Sequence, residues 1–165
     1  MYKLDIFDNI NVKPDYYILY YGIKNKIIEE ESAADYVCRK MENDEPVSEE
    51  EVMLTWGTED VLEILEGLIE SSSDQSNISN NVMPIIRLAV IVYERANEKN
   101  INRLLEKTDM LYADFGYPLD MESFVTYMPL PDYDASKHTL EENQKHLLDN
   151  LDKFIEKQKK VLKCG

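Results

Sequence analysis

From about residue 15 onward, apolar side chains recur along this chain at helical spacing. Between Glu59 and Glu70, Val61, Leu62, Leu65, Leu68 and Ile69 make one face. Glu59, Glu63, Glu66 and Glu70 fall within an arc of about 60° on the opposite side. Val82–Ala96 is apolar nearly all round, through Ile85, Ile86, Leu88, Ala89, Val90, Ile91 and Val92, and reads as a buried central helix with Pro84 near its start. Its β-branched run also suits a buried strand, and periodicity alone leaves both open. Ile101–Ala113 is amphipathic through Leu104, Leu105 and Leu111, and a short helix is expected over about 120–127. Leu140–Leu162 sets Leu147, Leu148, Leu151, Phe154 and Ile155 on one stripe. The alternation of Tyr2, Leu4 and Ile6 predicts one short N-terminal strand.

Local signals place the helix ends. Ser48 with Glu51 and Thr139 with Glu142 match the capping box, and Ser32 with Asp35 is a looser version. Pro14 suits the first turn of a helix Asp15–Tyr21 closed by Gly22. Gly57 stops the segment Ser48–Trp56, and Thr58 is placed to cap the helix that follows. Residues 71–81 are almost all polar and form a loop. The expected fold is all-α, or mostly α with a short N-terminal strand. It is a single globular domain over residues 1–165, built as a bundle of six or seven helices.

Charge changes the picture more than composition does. Sixteen carboxylates lie between Glu29 and Asp74 against only Arg39 and Lys40, a formal charge of −14 out of −15 for the whole chain. A face of one sign costs stability through self-repulsion and draws cationic partners. It repels a phosphate backbone, so nucleic acid is excluded as a partner. The predicted binding face comprises Glu49, Glu50, Glu51, Glu59, Asp60, Glu63, Glu66 and Glu70, and the predicted partner is a basic protein. Lys153, Lys157, Lys159, Lys160 and Lys163 reverse the sign at the end of the last helix. There they suit the helix dipole, or form a counter-patch that docks the acidic half within the fold. The longest apolar run, 85–93, is broken by Arg87 and too short to span a bilayer. With Cys38 and Cys164 far apart and no secretion signal at the N-terminus, a reducing, cytoplasmic location without membrane attachment is expected.

Chemical motifs are sparse. The glycines are too scattered to cradle a phosphate, and Asp114-Phe115-Gly116 spells the kinase metal-binding tripeptide without the loops that give it meaning. Glu142 and His146 share a helix face and offer two metal ligands, but a competent site needs more groups than the sequence supplies. Cys38 reads as a small buried thiol on a helix. Tyr16, Tyr17, Tyr20 and Tyr21 crowd one short helix, either as an interface or at the core edge with hydroxyls in water. No cofactor is expected.

The stretch Tyr112-Ala-Asp-Phe-Gly-Tyr-Pro-Leu-Asp-Met-Glu-Ser-Phe-Val-Thr-Tyr-Met-Pro129 resembles the signature of the bacterial domain-of-unknown-function family numbered 2247. A short helix near Tyr20-Tyr21-Gly22 and an acidic stretch leading to Trp56-Gly57 are similar to that family as well. The resemblance implies a small acidic immunity protein, which neutralises a toxin domain delivered between competing bacteria, and it carries over no catalytic residues. The leading expectation is thus a non-enzymatic protein-binding domain whose acidic face occupies the basic cleft of a nuclease-like toxin. Two alternatives remain: a metal-assisted enzyme built on helical carboxylates, and a structural homo-oligomer subunit. The oligomeric state itself is not legible.

Overall fold

A computed structural model of the protein describes residues 1–72 and 81–164. The fold is all-α. Its α-helices are α1 (Tyr16–Lys24), α2 (Ser32–Glu42), α3 (Glu49–Met53), α4 (Val61–Ser71), α5 (Val82–Asn97), α6 (Ile101–Asp114) and α7 (Leu140–Cys164). Short 3-10 helices cover Leu4–Ile10, Leu54–Trp56, Leu119–Phe124 and Ala135–Lys137. The expected polar loop lies, over 73–80, outside the described residues. Among the described residues no helix is long and apolar enough to cross a membrane. The chain packs as two compact units, Met1–Ala89 and Val90–Gly165, and α5 contributes to both. At 16 residues α5 is much longer than an ordinary strand, which settles the choice that its β-branched run left open.

In the first unit, Leu4, Ile6, Phe7, Ile18, Leu19, Ile28, Leu54, Leu65 and Ile86 are buried. The expected N-terminal strand is not formed. Leu4–Ile10 is a 3-10 helix, and β structure near it is limited to a parallel bridge between Tyr2 and Ile28. The three-residue spacing of Leu4, Phe7 and Ile10 stacks them along a helix with three residues per turn, and this outweighs the alternation of Tyr2, Leu4 and Ile6. Helix α1 also differs from expectation. Asp15 is its N-cap, accepting from the Ile18 N–H at 2.9 Å, and Pro14 lies outside the helix. Burial pushes the Asp15 carboxyl above its ordinary range, against the pull of that hydrogen bond. The helix runs through Gly22 to Lys24.

Gly22 is a glycine because of what returns over it. The Gly22 carbonyl accepts from the Ile27 and Ile28 N–H groups at 2.9 and 3.1 Å, which lays Ile28 on the helix. A Cβ on Gly22 would meet Ile28 Cδ1 at 2.3 Å and Cγ1 at 2.7 Å. Ile28 is only 1% exposed and has no room to move away. Gly22→Ala is therefore expected to destabilise the fold by about 1–3 kcal/mol, although alanine favours a helix, and urea unfolding checks it.

Ser48 and Glu51 form the expected capping box on α3, and Thr139 and Glu142 exchange the same two bonds at the start of α7. Ser32 caps nothing: it sits one residue inside α2, where the Glu29 and Glu30 carbonyls already take the first amides. Thr58 bonds to the Asp60 N–H at 3.1 Å, so α4 begins at Val61 and leaves Glu59 and Asp60 ahead of it.

The second unit packs α7 on the 3-10 helix Leu119–Phe124. The Phe124 and Phe154 ring centroids are 5.1 Å apart, and Met121, Val125 and Leu151 are buried. Asn150 Nδ2 donates to the Ser123 carbonyl at 2.7 Å. The helix expected over 120–127 ends at Phe124, because Asp109 takes the Thr126 N–H at 2.8 Å together with the Thr126 hydroxyl and draws the chain away. Glu94, buried in this unit, is neutralised by Lys107 at 3.1 Å.

Candidate functional site

The capping box sets the direction of α3, and the left-handed turn at Gly57 (φ 71°) then separates α3 and its 3-10 extension from α4. A groove of about 840 Å³ lies between these helices, with Met53, Ile64 and Leu68 as its apolar part and Glu50, Asp60 and Glu63 as its charged part. Leu54 anchors the 3-10 turn in the core, while Trp56, two residues on, is 77% exposed. Met53 at 44% and Leu62 at 37% add apolar surface to the same two helices. The chain has one tryptophan, and it stands in the open between two acidic helices. Periodicity does not single out Trp56 as a site residue; the signal in the sequence is a large aromatic beside a chain-reversing glycine.

The eight predicted carboxylates do not share one role. Glu49, Glu50, Glu59, Asp60, Glu63, Glu66 and Glu70 are exposed, all of them on or beside α3 and α4. Glu51 is buried. One of its oxygens takes hydrogen bonds from Lys40 Nζ and the Tyr16 hydroxyl, and the other takes the Ser48 N–H at 2.6 Å. Lys40 Nζ lies 5.6 Å from the Tyr16 ring centroid, and Tyr36 meets that ring edge-on at 5.1 Å. One of the two bases in the acidic segment is thus spent inside the fold.

Glu66 is exposed but engaged. It accepts from the Tyr20 hydroxyl at 3.1 Å, and Lys24 Nζ in turn donates to the Tyr20 oxygen at 3.0 Å. The hydrogen bond to Tyr20, with Glu66 behind it, holds the Lys24 ammonium above its ordinary range. Helix α1 therefore points the Tyr16 and Tyr20 hydroxyls at carboxylates of the acidic helices, while Tyr21 is exposed. What remains exposed on this segment is Glu49, Glu50, Glu59, Asp60, Glu63 and Glu70, together with the apolar Met53, Leu62 and Trp56.

In the second unit both histidines stack on one ring: Tyr133 lies 4.6 Å from His138 and 3.8 Å from His146, nearly parallel to both. The Tyr133 hydroxyl donates to Asn143 Oδ1 at 2.8 Å. Glu142 is turned to the helix start, taking the Thr139 N–H at 2.8 Å, and lies 3.6 Å from His138 Nδ1. The Thr139 bond holds its carboxyl below the ordinary range. His146 faces Asn150 at 3.4 Å. Glu142 and His146 are thus each engaged with other side chains or backbone, and the described residues hold no group of three or more His, Cys, Asp and Glu able to bind a metal. Cys38 is exposed, contrary to the buried thiol expected.

A family model described as an uncharacterized protein conserved in bacteria (DUF2247) matches residues 4–159. No curated protein and no solved structure matches the chain.

Proposed function

The chain belongs to the DUF2247 family of bacterial proteins, and we propose from its own residues that it is a non-enzymatic protein-binding domain whose α3–α4 face engages a basic protein. The specific form we favour is an immunity protein that occupies the basic cleft of a nuclease-like toxin domain. The observation that carries the reading is Trp56, exposed on the turn that joins two carboxylate-bearing helices, with Met53 and Leu62 exposed on those same helices. Protein interfaces derive most of their affinity from buried aromatic anchors, while a charged rim steers the encounter and selects the partner. An acidic face held only for solubility has no need to keep a tryptophan in water.

Reversing Glu59, Glu63 and Glu70 to lysine tests this reading, because among the described residues none of the three side chains takes a hydrogen bond or ion pair. Partners captured from bacterial lysate and released by rising salt are first identified, then purified and titrated. The captured protein is expected to be basic, to arrest growth when expressed alone, and to be neutralised by co-expression of this chain. The triple reversal is expected to slow association by about tenfold or more with helix content unchanged. Unchanged association would remove this face from the interface.

A further inference from the structure

Helix α7 carries an exposed basic face that is separate from its packed side. Lys153, Lys157 and Lys160 recur at intervals of four and three residues and share an arc of about 60°. All three are exposed, Val161 at their edge is 59% exposed, and Leu151 on the opposite side is buried. Among the described residues, none of these lysines takes part in an ion pair. The helix dipole accounts for cations in the last turn only. Lys153 stands about three turns from the end of α7 and lies outside its reach.

The complement of this face occurs on the same chain. On α4 Glu63, Glu66 and Glu70 repeat at intervals of three and four, the α7 spacing read in the antiparallel direction, with Glu59 just ahead of the helix, and Leu62 flanks them as Val161 flanks the lysines. We propose that the basic face of α7 docks on the α4 face of a second copy of this chain. Matching intervals let each ammonium meet a carboxylate on successive turns, with Leu62 and Val161 brought together at the edge. Two copies of formal charge −15 repel one another as wholes. At physiological ionic strength charges farther apart than about 8 Å are screened, so the whole-molecule repulsion fades while the contact between the faces survives. A phosphate backbone offers the lysines no such relief, since the rest of the chain repels it. The inference does not rest on a toxin partner. A basic partner and a second copy occupy the same face and exclude each other.

Sedimentation velocity over micromolar to millimolar protein at physiological salt tests it with two variants, K153E/K157E/K160E and E59K/E63K/E70K. Reversible self-association is expected for the wild type, weakened by about tenfold or more in either variant alone. The equimolar mixture of the two variants is expected to associate again, because each then supplies the charge the other lacks. K153Q/K157Q/K160Q, which removes charge without adding repulsion, is expected to weaken association as well. A wild type that stays monomeric throughout, association that survives both reversals, or a mixture that fails to associate would each overturn the proposal. None of these outcomes bears on capture of a basic partner.

Discussion

Replacing Lys40 with methionine is expected to destabilise the fold by about 3–5 kcal/mol, because it leaves a buried carboxylate without its cation. The side chains of Lys40 and Glu51 are 17% and 7% exposed, and among the described residues no other base pairs with Glu51. Removing one member of such a pair uncovers the full cost of holding a charge out of water, which exceeds the worth of the pair itself. The residual exposure of Lys40 places the loss toward the lower end of that range. Glu51→Gln is expected to cost less, since the glutamine oxygen can still close the capping box with the Ser48 N–H, its amide NH2 can donate to the Tyr16 oxygen, and the partly exposed Lys40 can turn to water. Adding it to Lys40→Met should recover part of the loss, and a double-mutant cycle by urea unfolding measures that coupling. By contrast, Glu63→Lys on the open side of α4 should move stability by no more than about 0.5 kcal/mol. A Lys40→Met variant within about 1 kcal/mol of wild type would show that Glu51 is not held as described.

The contrast between Glu51 and Glu63 shows where sequence reading reached its limit. Both are glutamates in the same acidic run, and charge counting put both on one face. What separates them is contact across the chain: Tyr16 reaches Glu51 over 35 positions, and Tyr20 reaches Glu66 over 46. Periodicity carries no information at that separation. Signals that act within one turn were legible, as the capping boxes at Ser48 and Thr139 and the left-handed Gly57 demonstrate. Gly22 meets the same limit as Glu51. A glycine near a helix end reads as a stop, whereas here it is required by Ile28 crossing a buried helix surface. At the N-terminus two periods competed in one short segment, and the tighter, three-residue one prevailed. Trp56 was missed because exposure, unlike helix phase, depends on what the rest of the fold leaves uncovered.

Once the internal pairs are set aside, the acidic segment divides into carboxylates that hold the fold and carboxylates that face outward. That division makes Trp56→Ala the most informative change to binding. The side chain is 77% exposed in the free protein, so its loss should shift stability by no more than about 0.5 kcal/mol. In a complex the same indole would be the largest apolar group on the face, and its truncation is expected to cost about 2–4 kcal/mol, or roughly 30- to 1,000-fold in affinity. The loss should appear in the dissociation rate and change little with salt, whereas reversing Glu59, Glu63 and Glu70 should act on association and fade as salt rises. Met53→Ala, on a side chain already more than half covered, should lose less. Because Trp56 is the chain's one tryptophan, its fluorescence reports on the site directly. Emission characteristic of an indole in water should shift to shorter wavelength as partner is added. If the partner binds with full affinity to Trp56→Ala and leaves the wild-type emission where it was, the turn between α3 and α4 stands outside the interface and the carboxylates alone define it.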